Sequence, residues 1–81
     1  MNQKTILDLL NAPKFQPFRI YMSDHRTYDI YHRDFVWAHP THLLIITPGP
    51  GERTLARTEF ASLRHVVRVE MLEEQAVGEE G

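Results

Sequence analysis

The sequence predicts an α+β domain: one short amino-terminal helix followed by a five-stranded, strongly bent antiparallel sheet or small barrel. Three observations lead there. Apolar residues fall at helical spacing only near the amino terminus. From Phe18 to Met71 the pattern is strand-like, in five short runs, each joined to the next by a tight connection. The chain has 81 residues, 42% apolar and 25% charged, which suits one small globular domain and leaves no room for a second. Closing such a sheet on itself also disposes of edge strands that would recruit other chains.

The elements follow in order. Thr5-Ile6-Leu7-Asp8 has a threonine able to cap a helix and an acid three residues later, close to a capping box. Ile6, Leu9 and Leu10 share one face with Leu7 beside them, and Pro13 ends the helix near Asn11. Two turns are unstable alone, so this stripe must dock on the sheet. Lys14 to Pro17 is a connector, with Phe15 as its anchor. Phe18, Ile20 and Met22 then alternate with Arg19, Tyr21 and Ser23, and Tyr28 and Ile30 with Thr27, Asp29 and Tyr31. This is a β-hairpin around Ser23-Asp24-His25.

The loop length of that hairpin is decidable. A two-residue turn would set Asp29 on the face of Met22 and Ile20, burying a carboxylate, whereas a three-residue loop sets Tyr28 and Ile30 there. The three-residue form needs a left-handed residue at its end, normally Gly. His25 occupies that place. Beyond it, Phe35-Val36-Trp37-Ala38 is a short strand or a bent extension of the previous one, and His39 to His42 is a turn. Leu43 to Thr47 is a strand apolar on both faces, so it is central or covered on its outer side, and it offers a surface for oligomerisation. Pro48-Gly49-Pro50-Gly51 is a break with a mobile tip. Arg53 to Thr58 reads as a fourth strand with Leu55 in the core, and Glu59 to Arg64 as one helical turn carrying Phe60 and Leu63. Val66 to Met71 is a last strand with Val67, Val69 and Met71 inward and Arg68 and Glu70 outward. Residues 1–72 thus form the domain, and 73–81 an acidic, disordered tail.

Charge and composition narrow the function classes. The net charge of −2 is split, because Glu73, Glu74, Glu79 and Glu80 lie in the tail and the remaining seven acids face nine bases, seven of them Arg. This gives a solvated, arginine-bearing body with a solubilising tail, or a modest anion-binding surface that the tail screens. Cysteine is absent, which removes disulfides, thiolate metal sites and cysteine nucleophiles. The longest apolar run, Leu43 to Ile46, is far short of the roughly 20 residues of a membrane span. The first residues lack the layout of a secretory signal, so a cytoplasmic location with no membrane contact is expected.

This layout resembles the Sm-like fold, and within it the bacterial Hfq-type RNA chaperones, over Ile6 to Met71. Pro17 to His25 is similar to the first strand and loop of that family, with His25 where the family has Gly. Leu63-Arg64-His65-Val66-Val67 is similar to its Tyr-Lys-His-Ala-Ile segment, whose lysine and histidine meet uridine-rich RNA at a ring pore. The resemblance implies an SH3-like or Sm-like barrel with Arg64 and His65 as an RNA-facing pair. A closer resemblance is to a group of small bacterial proteins with the form Pro-Phe-Arg-Ile-x-x-Ser-Asp-Gly-Arg, here Pro17 to Arg26, then His32-Arg33-Asp34-Phe35 and Leu63 to Glu70. It implies no activity.

Several constellations compete for a chemical role. His32, His39 and His42, with Asp34 as an oxygen donor, are the residues to consider for a divalent ion, but they fall in turns around a proline and suit exposed histidines better. Glu59, Ser62 and His65 lie on one face of the presumed turn, yet nothing marks an oxyanion site. Arg19, Tyr21, Tyr31 and Arg33 belong on the outer face or end of the hairpin. They suit base stacking, a protein-binding patch, or plain cross-strand packing. Trp37 belongs to the core or to an interface. The expectation is a non-catalytic binding module without cofactor or metal, acting through protein contacts or self-association as a homo-oligomer. The alternative is single-stranded RNA binding through Arg64 and His65.

Overall fold

The computed structural model describes residues 1–49 and 57–72. The expectations on Leu55, on the strand from Arg53, on the tip at 50–51 and on the tail at 73–81 fall outside these residues. Helix α1 spans Gln3–Leu10. Its cap is Asn2 rather than Thr5: the Asn2 side chain accepts the Thr5 N–H at 3.0 Å, so the helix starts earlier than the threonine suggested. It stops at Asn11, whose N–H returns to the Leu7 carbonyl. Ile6 and Leu10 are buried, and the Gln3 side chain donates to the Ala38 carbonyl at 2.9 Å. These contacts supply the docking that a two-turn helix needs.

Strands β1 (Phe18–Met22) and β2 (Thr27–Ile30) form the expected hairpin in the expected register, with Ile20 opposite Tyr28 and Phe18 opposite Ile30. The loop is Ser23-Asp24-His25. Met22 and Arg26 close it, the Asp24 carboxylate accepts the Arg26 N–H, and His25 has φ 73°. The chain then leaves this sheet. A 3₁₀ turn at Arg33–Phe35 follows, so Phe35 lies before the next strand rather than in it. Arg33 holds the turn from outside, donating to the Ala12 carbonyl at 3.2 Å with its guanidinium over the Phe15 ring.

Strands β3 (Val36–Ala38), β4 (His42–Thr47) and β5 (Arg57–Ser62) follow, then a 3₁₀ turn at Leu63–His65 and β6 (Val66–Met71). The six strands make two three-stranded antiparallel sheets, ordered β2-β1-β6 and β3-β4-β5. This corrects the expected single five-stranded sheet or closed barrel. The path is that of a bent sheet broken twice, because the two 3₁₀ turns interrupt the ladder where the chain passes from one sheet to the other. Tertiary pairing also overrides the helical turn expected at Glu59–Arg64. That segment stays extended through Ser62 because β4 pairs with it without interruption, from His42 opposite Ser62 to Thr47 opposite Arg57. A further correction falls on β6. The β1–β6 register shifts between Tyr21 and Met22, and Val67 has no partner in the ladder. This bulge throws Val67 outward, 60% exposed, and Met71 is 41% exposed at the strand end, leaving Val69 as the half-buried inward residue.

One core lies between the sheets. Phe18, Ile20 and Ile30 from the first meet Val36, Leu43, Ile45 and Ala61 from the second, sealed by Ile6 and Leu10 of the helix and by Leu63 and Val66. No helix among the described residues is long and apolar enough to cross a membrane.

Candidate interaction surfaces

Three surfaces carry the residues singled out above. The first is the outer face of sheet β2-β1-β6, where alternation puts Arg19 and Tyr21 beside Asp29 of β2 and Arg68 and Glu70 of β6. Arg19 meets Asp29 with two hydrogen bonds, Nε to Oδ1 at 2.6 Å and Nη2 to Oδ2 at 3.1 Å. The Tyr31 hydroxyl donates to Asp29 at 3.4 Å. On the other side the Tyr21 hydroxyl donates to Glu70 at 2.6 Å, and the Arg68 guanidinium lies 3.7 Å from the Tyr21 ring centroid. The Arg19 hydrogen bond holds the Asp29 carboxyl below the ordinary carboxylate range, and the same bond raises Arg19. Arg19 and Tyr21 are therefore engaged within their own sheet, the cross-strand arrangement. Arg33 does not join them, since its partners are Ala12 and Phe15 in the connector.

The second surface is the gap between the sheets, where β2 and β5 approach without pairing. Glu59 points into it and meets Arg26 at 3.6 Å, with Tyr28 between them. Burial first, and then Glu59, raise the Tyr28 phenol. On one side of this bridge lies a cleft of about 350 Å³ lined by Ser23, Arg26, Tyr28, Phe60, Ser62 and His65. On the other lies one of about 510 Å³ between Tyr31, Phe35 and Ile46. Arg64 and His65 are both exposed on the 3₁₀ turn beside the first cleft. The His65 Nδ1 faces the Ser23 hydroxyl at 3.3 Å, and the Ser62 hydroxyl instead accepts the Arg64 N–H. Ser62 is thus a turn cap, and Glu59 is paired with Arg26. The three do not assemble as a nucleophile, base and orienting acid.

The third surface is the outer face of sheet β3-β4-β5. Trp37 stands opposite Leu44, and Leu44 opposite Phe60, so three apolar side chains form one row across the sheet. Trp37 is 61% exposed and Phe60 is 73% exposed, with Leu44 and Ile46 half-buried between and beside them. Leu43 to Ile46 is central in its sheet, and among the described residues no element packs over its outer side. The helical turn expected at Glu59–Arg64 assigned Phe60 to no face, and the extended β5 turns it outward. The signal available was its alternation with Glu59 and Ala61.

The histidines considered for a metal have other neighbours. His32 packs edge-on against Phe35, and the His42 Nδ1 lies 2.9 Å from the Thr41 hydroxyl. Among the described residues no group of three His, Asp or Glu side chains is placed to hold an ion. Compared with models of known families, with curated proteins and with solved structures, the chain shows no significant match.

Proposed function

We propose that this chain is a non-catalytic binding module that acts through protein contacts, self-association among them, on an SH3-like or Sm-like small β framework. The framework reading is supported by element order: a helix, then strands that pass from one small sheet to a second and return through a 3₁₀ turn to pair with β1. The observation that carries the function is the Trp37–Leu44–Phe60 row. Trp and Phe are enriched where proteins meet, and fully covering one such side chain is worth about 1.5–3 kcal/mol. An uncharged aromatic row on a sheet face suits another protein surface better than a small polar substrate.

Trp37 is the chain's single tryptophan and reports on this row directly. Its emission should shift to the blue and resist quenching as the row is covered, on raising protein concentration or adding a partner, and Phe60→Ser should weaken that response. Emission that stays red and fully quenchable across the concentration range, with every protein offered, would overturn the reading.

A second reading, single-stranded RNA binding, is favoured by one arrangement. His65, beside Arg64, lines the same cleft as Tyr28 and Phe60, aromatic faces on which unpaired bases stack. On a sizing column with absorbance read at protein and nucleic-acid wavelengths, this reading expects nucleic acid to travel with the protein. It also expects binding to weaken steeply with salt.

A further inference from the structure

We infer that the partner on this surface is a second copy of the chain seated face to face, the outer face of sheet β3-β4-β5 covering its own counterpart about a two-fold axis. This rests on the protein-contact reading and names its partner. The two sheets differ in what they turn outward. Sheet β2-β1-β6 shows Arg19, Asp29, Arg68 and Glu70. Sheet β3-β4-β5 shows Trp37, Leu44, Ile46 and Phe60, and the polar positions around them on the same strands are His42, Thr58 and Ser62. No carboxylate, ammonium or guanidinium stands at these positions. A face that pairs with itself sets each residue on the axis against its own kind, so charges there would repel. This face has none to oppose.

The layout of the row matches that symmetry. Leu44 lies at its centre on the middle strand, with one aromatic residue on either side, Trp37 on β3 and Phe60 on β5. Sheets that pack face to face keep their strands roughly aligned, about 10 Å apart. A two-fold axis along β4, midway between the faces, then sets Leu44 on Leu44 of the second copy and Trp37 of each copy on Phe60 of the other. Ile46 meets Ile46 and His42 meets His42, so apolar ends and polar ends coincide. The other aligned choice, an axis along the row, sets Trp37 on Trp37 and Phe60 on Phe60. That wedges the sheets apart at β3 and buries the His42 ring against Ile46. The axis along β4 keeps both margins equally thick.

The area is that of a reversible contact. Trp37 and Phe60 are both mostly exposed, and a whole aromatic side chain carries about 150–250 Å². With Leu44, Ile46 and the same set from the second copy, the pairing covers about 1,000 Å², the lower end for a specific interface. The formal charge of −2 on each copy opposes it weakly and is screened at physiological salt. A two-fold contact uses up its own surface, so assembly through it stops at the dimer.

The test is light scattering on a sizing column, with Trp37 emission followed over the same protein concentrations and thermal melts to establish folding. Wild type should pass from monomer to dimer as its emission shifts to the blue, and high salt should leave the dimer intact, where a nucleic-acid contact would be lost. Phe60→Glu and Trp37→Lys, both at exposed positions, should each weaken pairing about tenfold or more, since each removes two aromatic contacts from the dimer. Mixed, the two should pair again. The introduced carboxylate of one then faces the introduced ammonium of the other, and Trp37 of the first keeps Phe60 of the second. Trp37→Lys has no tryptophan, so the blue shift on mixing reports the Phe60→Glu copy alone. If either variant unfolds, Leu44→Cys in this cysteine-free chain keeps the test. A short bis-maleimide should link it to its own copy, the sheets lying too far apart for a direct disulfide. A mixture that does not recover, or a Leu44→Cys that does not link, overturns the pairing. A wild type monomeric at every concentration overturns it too, and the protein-contact reading then stands if Trp37 responds to another protein and falls if it responds to none.

Discussion

Replacing His25 by glycine should stabilise the protein. His25 closes the three-residue hairpin loop with φ 73°, in the left-handed region. A Cβ there costs roughly 1–2 kcal/mol, somewhat less for histidine, which is among the residues enriched in this region. Its N–H donates to the Met22 carbonyl at 3.0 Å, a backbone bond that glycine keeps. The side chain is exposed, and no hydrogen bond or ion pair of its ring occurs among the described residues. Against the relief stands the extra backbone freedom of glycine in the unfolded chain, about 0.5–1 kcal/mol. The net gain is therefore about 0.5–1 kcal/mol, which in a domain of this size raises Tm by about 2–8 °C. His25→Val reports with the opposite sign, because a β-branched residue fits the left-handed region worst. Urea unfolding of the three proteins with a common m-value makes the comparison clean. A glycine variant less stable than wild type, or a valine variant equal to it, would refute the strain argument.

Three further outcomes follow from the same structure. Ile6→Ala should cost about 2–5 kcal/mol by urea unfolding and loosen the helix, since Ile6 is fully buried where α1 meets the sheets; a loss below about 1 kcal/mol would mean the helix is not held there. Asp29 titrates below its ordinary value because Arg19 is bonded to it, so its stabilising effect is complete above the unfolded pKa of about 3.9 and is lost as pH falls through the lower folded value. The Tm difference between wild type and Asp29→Asn should therefore shrink below about pH 4, and a difference constant with pH would remove the Arg19 contact as its cause. Zinc or nickel should leave Tm unchanged, because among the described residues His32, His39 and His42 belong to no group of three metal ligands; a rise reversed by chelator would contradict this.

Legibility from sequence follows the range of the interactions. The hairpin was readable because period-two alternation, an uncompensated Asp29 and the chemistry of a left-handed loop residue all act within about a dozen residues. Once its register stands, Arg19 opposite Asp29 follows. The helix end at Asn11 was equally local. The cap was not, because Asn2 and Thr5 are both competent and only the chain's approach to the sheet decides between them. What failed depended on distant partners. The break between β2 and β3 rests on Arg33 reaching Ala12, and the extension of β5 through Ser62 rests on β4 lying beside it. Val67 reads as inward by alternation and Phe60 as part of a helical turn, and each points outward for a reason that only the ladder reveals: Phe60 by phase, Val67 by a bulge.

Those outward residues connect stability with association. Phe60, Trp37, Val67 and Met71 are substantially exposed, while among the described residues the buried core rests on twelve side chains. Small domains with thin cores gain from oligomerising, and a contact that binds only the folded form raises Tm with concentration. Self-association over this row therefore predicts that the wild-type Tm climbs with protein concentration and that Phe60→Ser flattens the climb. His25→Gly acts inside one chain and should shift Tm by the same amount at every concentration. The two variants thus separate what the fold holds by itself from what a second copy adds. A wild-type Tm independent of concentration would leave the exposed row without a contribution to stability.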